Sequence, residues 1–595
     1  MTDTFPRQYA RTQRLTLGEP RTITVSPDGK RVLFLRSTNG TDTVQSLWLL
    51  HVERNTEVCI ADVRELLAAS EGHTESAEEQ ARRERAREGA GGIVQYSCDA
   101  EVQHVAFAVA GHLFVCDMQH ANEIVIKSPA SGTIYDARIS PDGQHVAYVR
   151  DRSLYMCDLQ GVERCLASEE SPDVTWGIAE FVAAEEMNRQ RGFWWAPDSS
   201  ALAVERADHS PIQSISIADP AKPTSNPSSR RYPFAGTANA LVSLHLVAIN
   251  GTRIAVTWDS LTFEYLTSVQ WNMHGLVISV MSRDQRILDI RAVDISSGQT
   301  NSLHTEHDEC WVELVAGGPS LLEKGMLMWC GERNGVRAIV VNNDFITPSH
   351  LQVRSIVRAS HDNIIFSANN VQRPQELHVF SVQISGGEVT QLSDGIGIHS
   401  ATVGGETTVL RSATLETRRS RTLVNNHHQL ANHAEEPLIG TNVSLHSVGP
   451  RGIATAVVLP ENHDGSMLPV LFDPYGGPHA QRVLSASGAY LASQWFANQG
   501  FCVVIADGSG TPGRGSTWER EVHRDLASSV LADQLTVLRH LPEIAPCADT
   551  SRVAIRGWSF GGYLAALAVL RAPKQFHCAI AGAPVTDWAL YDTFY

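Results

Sequence analysis

Residues 553–562 read Val553-Ala554-Ile555-Arg556-Gly557-Trp558-Ser559-Phe560-Gly561-Gly562. The opening four are a short strand, and Tyr563 to Leu570 continue as a helix-forming run. Between them stands G-x-S-x-G. Glycine on both flanks lets a strand turn sharply into a helix, holding the serine on an exposed bend with the helix N-terminus behind it. Ser559 is therefore a candidate nucleophile. The backbone N–H of Phe560 is a candidate donor to a developing oxyanion.

The surroundings of this bend share one texture. Ile453 to Leu459, Pro469 to Asp473, Phe501 to Asp507 and Cys578 to Gly582 are short apolar strands. Ala489 to Gln499 and Asp525 to His540 are helical stretches between them. Apolar strands alternating with helices indicate a mostly parallel α/β sheet. We assign 435–595 to this unit. The Asp473-Pro474-Tyr475-Gly476-Gly477-Pro478 loop follows one of its strands. Tyr475 reads either as an ordinary loop aromatic or as a second oxyanion donor.

Upstream the rhythm differs. Ser140-Pro141-Asp142-Gly143 precedes two alternating strands, His145 to Val149 and Leu154 to Asp158. Proline presets φ and Asp-Gly closes the turn. The phrase recurs at Ser26-Pro27-Asp28-Gly29 and, degraded, at Ala196-Pro197-Asp198-Ser199. A strand repeat of roughly 50 residues indicates propeller blades, and about 400 residues allow seven or eight. An irregular β-sandwich array is the plainer alternative. The fold class is a β-propeller followed by an α/β-hydrolase domain. The domains are an N-terminal segment over 1–20, a propeller over 21–430 and the hydrolase unit. Helical insertions are expected over 75–88 and 179–191.

The 595 residues carry 48 basic and 65 acidic side chains, a net charge of −17. That excess argues against nucleic acid and against an anionic membrane surface. No apolar run reaches the ~18–20 residues of a membrane span. Ten cysteines without a C-x-x-C pair fit free thiols of a reducing compartment, so we expect a cytoplasmic protein. No H-E-x-x-H or comparable spacing occurs, and neither metal nor organic cofactor is expected.

The phrases G-W-S-F-G-G-Y, P-Y-G-G-P, A-E-F-V-A-A-E-E-M-N-R-Q-R-G-F-W-W and G-A-P-V-T-D-W-A-L-Y-D-T-F-Y together resemble the dipeptidyl peptidase IV branch of the prolyl oligopeptidase family. The Arg83 to Tyr96 phrase is most similar to the cytosolic members, dipeptidyl peptidases eight and nine. The resemblance implies Ser559 as nucleophile and Tyr475 as oxyanion-hole residue. It implies Glu185 and Glu186 as the pair that holds a substrate's free N-terminus. It also implies an apolar S1 box of Phe560, Val585, Trp588, Tyr591 and Tyr595, and a substrate-contacting arginine, for which Arg87 is the candidate and Arg85 the next. The implied partners are peptides with a free N-terminus, with a homodimer in the full-length form. One departure stands out. The related D-G-R-G-S/T phrase is here Asp507-Gly508-Ser509-Gly510-Thr511, without its arginine.

A serine hydrolase also needs a base and a group that orients it, in the order Ser, Asp, His for this fold. His577, Asp587 and Asp592 follow Ser559. The histidine comes too early in that order, and Asp592 falls within the S1 stretch. We read none of them as a triad member. The expectation is a serine-type dipeptidyl aminopeptidase releasing X-Pro or X-Ala, whose hydrolase domain is cut off after the elbow and which is inactive as this chain. The competing readings are an endo-oligopeptidase or acylaminoacyl peptidase, and a non-catalytic propeller interaction protein.

Overall fold

The Ser-Pro-Asp-Gly phrase repeats because one set of hydrogen bonds repeats. In the computed structural model, the Ser140 hydroxyl donates to Asp142 Oδ1 and accepts from the His145 amide at 3.0 Å. Asp142 also accepts the Gln144 amide, and Gly143 sits at φ 73°. Ser26, Asp28, Lys30 and Arg31 build the same turn with Gly29 at φ 70°. A further copy at Ser282–Asp284 has Gln285 in the left-handed position. No Pro or Gly marks that copy, so sequence reading misses it.

The structure describes residues 3–67, 80, 83, 89–118, 124–127 and 133–595. Each turn links two strands of an antiparallel meander, and eight such sheets, six of four strands and two with an added fifth, follow one another from Arg21–Val25 to His428–Gln429. They form an eight-bladed β-propeller. Its ring closes without a shared strand. Thr407 donates to the Gly29 carbonyl at 2.7 Å, joining the last blade to the first. Buried Arg36 pairs with Glu57 at 2.6 Å and also reaches the Ala431 carbonyl.

Blade four is interrupted. Its strand Ala201–Asp208 pairs first with Val174–Trp176 and then with Phe193–Trp195, and the chain between them forms a loop. The loop holds one short helix, α1 (Phe181–Glu185). The helix expected over 179–191 is therefore five residues long. It stops because Asn188 turns to φ 52° and the Arg189 side chain is drawn inward to Glu205. The helix expected over 75–88 lies outside the described residues, apart from residues 80 and 83.

The hydrolase unit has six strands: β1 (Val443–Val448), β2 (Ile453–Val458), β3 (Leu468–Phe472), β4 (Cys502–Asp507), β5 (Ala548–Trp558) and β6 (Cys578–Gly582). Their order is β1-β2-β4-β3-β5-β6, parallel from β4 to β6. Helices α2 (Leu491–Ala497), α3 (Ser528–Ile544) and α4 (Phe560–Arg571) cover it. Val470, Phe472, Val504, Ile555, Leu541 and Leu564 form its core. At Ser509, where the related phrase has arginine, the hydroxyl accepts a hydrogen bond from Arg451 at 3.2 Å. Arg451, in the β1–β2 turn, pairs with Asp533 at 2.8 Å, and the Ser509 hydroxyl donates to Asp533 and Glu521. Arg451 and Arg514 lie over the Trp518 ring, 4.3 and 4.0 Å from its centroid.

Two arginines make three ionic contacts between the domains. Arg337 of the propeller forks onto Glu519 at 2.7 and 2.8 Å, with both side chains buried. Arg520 reaches Asp308 and Glu332, each at 2.8 Å. Removing one partner of a buried pair strands the other charge, at a cost of about 3–5 kcal/mol. Glu519→Gln is expected to loosen the docking and separate the propeller and hydrolase transitions in calorimetry. Replacing both residues (Arg337→Met with Glu519→Leu) is expected to cost less than the single change.

Candidate active site

Ser559 sits at φ 56°, ψ −120° between β5 and α4, a backbone state that non-glycine residues rarely occupy. Three glycines make that state possible. A Cβ on Gly557 would come within 2.1 Å of the Gly561 carbonyl oxygen. One on Gly561 would meet Pro474 O at 2.6 Å, and one on Gly562 would meet Gly582 O at 2.4 Å. The Ser559 amide donates to Gly582 O at 3.0 Å, tying the elbow to β6. The serine is half-buried. The Phe560 amide opens α4, so its acceptor must come from outside the helix.

The loop after β3 lies directly on this elbow. A Cβ on Gly477 would strike the Phe560 ring at 2.4 Å. The Tyr475 ring lies 5.9 Å from that of Phe560. The Tyr595 hydroxyl is hydrogen-bonded to Tyr475; burial, reinforced by neighbouring phenols and Glu186, raises Tyr595 well above the ordinary phenol range.

An aromatic cluster continues from there. Trp588 stacks on Tyr595 at 5.3 Å and 10°, and touches Phe560 at 5.7 Å and Tyr591 at 6.0 Å. Val585 lies half-buried in the turn after β6. Tyr563, which the sequence reading passes over, stands between Phe560 (5.5 Å) and Trp588 (5.3 Å). His479 packs on Tyr595 at 5.4 Å.

The propeller meets this cluster through its double glutamate. Glu185 is exposed and Glu186 half-buried. Glu186 is hydrogen-bonded to Asp592 and to Tyr591. Burial, the Asp592 charge and Glu185 raise the Glu186 carboxyl far above the ordinary range, against the Tyr591 hydrogen bond. Asp592, excluded from the triad by position in the sequence, is thus a third carboxyl of this group. Only two residues, Thr593 and Phe594, separate it from Tyr595, and no spacing rule marks it. The tail holds its place through the propeller: Tyr265 donates to Thr593 O at 3.1 Å, Gln285 donates to Phe594 O, and the Ala235 amide donates to Tyr591 O at 2.7 Å. A cavity of about 1190 Å³ between the domains is lined by Glu186, Tyr563, Trp588 and Tyr595, among others. Ser559 and Tyr475 are outside that lining.

Two expectations end differently. Arg87 and Arg85 lie outside the described residues. His577 turns its Nδ1 to the Val553 backbone, and among the described residues no histidine is hydrogen-bonded to the Ser559 hydroxyl. Also among the described residues, no group of three or more metal-ligating side chains occurs, and no helix is long and apolar enough to cross a membrane.

Residues 93–413 match the family model of the dipeptidyl peptidase IV N-terminal region, and 489–595 match that of the prolyl oligopeptidase family. The chain belongs to the dipeptidyl peptidase IV branch of the prolyl oligopeptidase family. Within that branch it is 25% identical over 479 residues to venom dipeptidyl peptidase 4 of Vespa velutina, covering 70% of this chain and 61% of the relative. It is 24% identical over 543 residues to human dipeptidyl peptidase 8, covering 72% and 60%. The chain thus spans about three fifths of these relatives' length. The crystal structure of Porphyromonas gingivalis dipeptidyl peptidase 4 has the same fold, with a TM-score of 0.80 at 20% identity over 99% of this chain and 86% of that one.

The raised Glu186 carboxyl sets a sign. A carboxyl whose folded pKa exceeds its unfolded one adds stability at acid pH and loses it as pH rises through the folded value. Between about pH 5 and about pH 9, the melting midpoint of the wild type is expected to fall relative to that of Glu186→Gln. Parallel curves for the two proteins in thermal melts would refute the raised titration of Glu186.

Proposed function

We propose that the protein to which this chain belongs is a serine-type dipeptidyl aminopeptidase that releases X-Pro or X-Ala from free N-termini. The carrying observation is the hydrogen bond between Glu186 and Asp592. It brings the double-glutamate turn to the rim of the aromatic cluster that begins at the residue after Ser559. An α-amino group has a pKa of about 8 and enters as a cation. Glu185, Glu186 and Asp592 would take it by charge-assisted hydrogen bonds. An amine held there sets the distance to the bond that Ser559 attacks. The rings of Phe560, Trp588, Tyr591 and Tyr595, with Val585, suit a proline or alanine side chain.

In the reaction, Ser559 Oγ adds to the P1 carbonyl carbon while its proton passes to a base. The Tyr475 hydroxyl and the Phe560 amide receive the developing oxyanion. The C–N bond then breaks, the proton goes to the leaving amine, and water hydrolyses the ester in the same way. No histidine stands at Ser559 among the described residues, so this chain by itself is proposed to bind a dipeptide without turnover. That no disulfide is formed among the described residues supports a cytoplasmic location, and we propose a homodimer for the full-length form. No cofactor enters the reaction.

The test uses the natural full-length protein with Ala-Pro and Gly-Pro chromogenic amides. Release is expected from free amines and not from N-acetylated analogues. Ser559→Ala is expected to lower kcat by about 10⁴-fold or more, and Glu186→Gln to raise KM. Equal release from blocked substrates would assign an endopeptidase or acylaminoacyl peptidase instead.

A further inference from the structure

The loop bearing Glu185 and Glu186 leaves blade four at Gly177 and returns at Gly192. Both feet stand on one residue. The Gly177 amide donates to Glu205 O at 2.9 Å, and the Glu205 amide donates to Gly192 O at 2.8 Å. Strand Ala201–Asp208 pairs with the outgoing strand through Arg206 and with the returning one from Val204. Glu205 is the single residue between them. The feet touch so closely that a Cβ on Gly192 would lie 2.3 Å from the Gly177 carbonyl carbon.

The Glu205 side chain then reaches into the loop. One carboxylate oxygen accepts the Glu180 amide at 3.0 Å. The other accepts the Arg189 guanidinium, which also donates to Leu266 O (3.1 Å) and Arg191 O (3.0 Å). Glu180 caps α1 in turn, taking the amides of Val182 at 2.7 Å and Ala183 at 2.6 Å. All three side chains are buried.

A helix of five residues is not stable by itself, so its place must come from outside. Buried ion pairs are weak sources of stability, and apolar replacements are often as stable; what such pairs supply best is register. Here the pair joins the entry of the loop, at Glu180, to its exit, at Arg189. The geometry points to Glu205 as the positioning residue of the amine clamp, acting through Glu180 and Arg189 to hold Glu185 and Glu186 in place. This rests on the amine-clamp reading above.

The experiment titrates the 595-residue chain with the dipeptide Ala-Pro and with N-acetyl-Ala-Pro by calorimetry, and follows amide exchange over residues 181–187. The wild type is expected to prefer the free amine. Glu205→Gln is expected to weaken Ala-Pro binding by about tenfold, as for a lost charge-assisted hydrogen bond. Binding of the acetylated peptide should not change, and exchange over 181–187 should rise. Arg189→Lys, which keeps the charge, is expected to fall between wild type and Glu205→Gln. Glu57→Gln, which breaks a buried pair in blade one, should lower the melting midpoint and leave binding unchanged. Should Glu205→Gln fail to fold, Glu180→Gln leaves the Arg189–Glu205 pair intact and is expected to weaken Ala-Pro binding by about threefold. A wild type that binds both peptides equally overturns the clamp reading and this role with it. A wild type that discriminates, with Glu205→Gln and Glu180→Gln keeping its affinity within about twofold, overturns the positioning role alone.

Discussion

Glu186 belongs to the propeller and Asp592 to the hydrolase, and their carboxyls share a hydrogen bond, with Asp592 buried and Glu186 half-buried beside the cavity between the domains. Two carboxyls can stand so close only while a proton lies between them, or while a cation takes its place. The proposed site depends on this contact, because the carboxyls and the nucleophile lie on different domains. The surrounding structure holds the two sides together. Tyr265, Gln285 and Asn239 fasten the 591–595 tail to the propeller, and Arg337 with Glu519 fastens the body of the hydrolase.

Rigidity on the propeller side comes from its closed ring. Each blade is made by a local turn, and the last blade is latched to the first by side chains rather than by a shared strand. The double-glutamate loop could not hold its shape alone. It borrows position from Glu205 on a strand whose partner is interrupted at that one residue.

On the hydrolase side, strain at Ser559 is held by contact. The glycines of the elbow are in backbone contact with β6 and with the loop of Tyr475, so the elbow is braced from both sides. A serine in that backbone state costs energy, and the packing of α4 over the sheet offsets it.

The sequence by itself determined the parts whose chemistry is local. Ser-Pro-Asp-Gly turns read as blades because one side chain closes each turn within five residues. The elbow reads as an elbow because strand, glycine, serine and helix are contiguous. The roles proposed for Glu185 and Glu186 rest on family resemblance, since two adjacent glutamates are otherwise a solvated surface. The extent of α1 escapes local reading for a physical reason: residues 186–191 have helical composition, but Arg189 is pulled out of the helix by a buried carboxylate on a neighbouring strand. Only the tertiary structure decided that Asp592 joins Glu186, that Tyr563 enters the aromatic cluster, that Arg451 reaches Ser509 and Asp533, and that Glu205 carries the loop. Those choices depend on burial and on partners far away in the chain, and no local spacing encodes them.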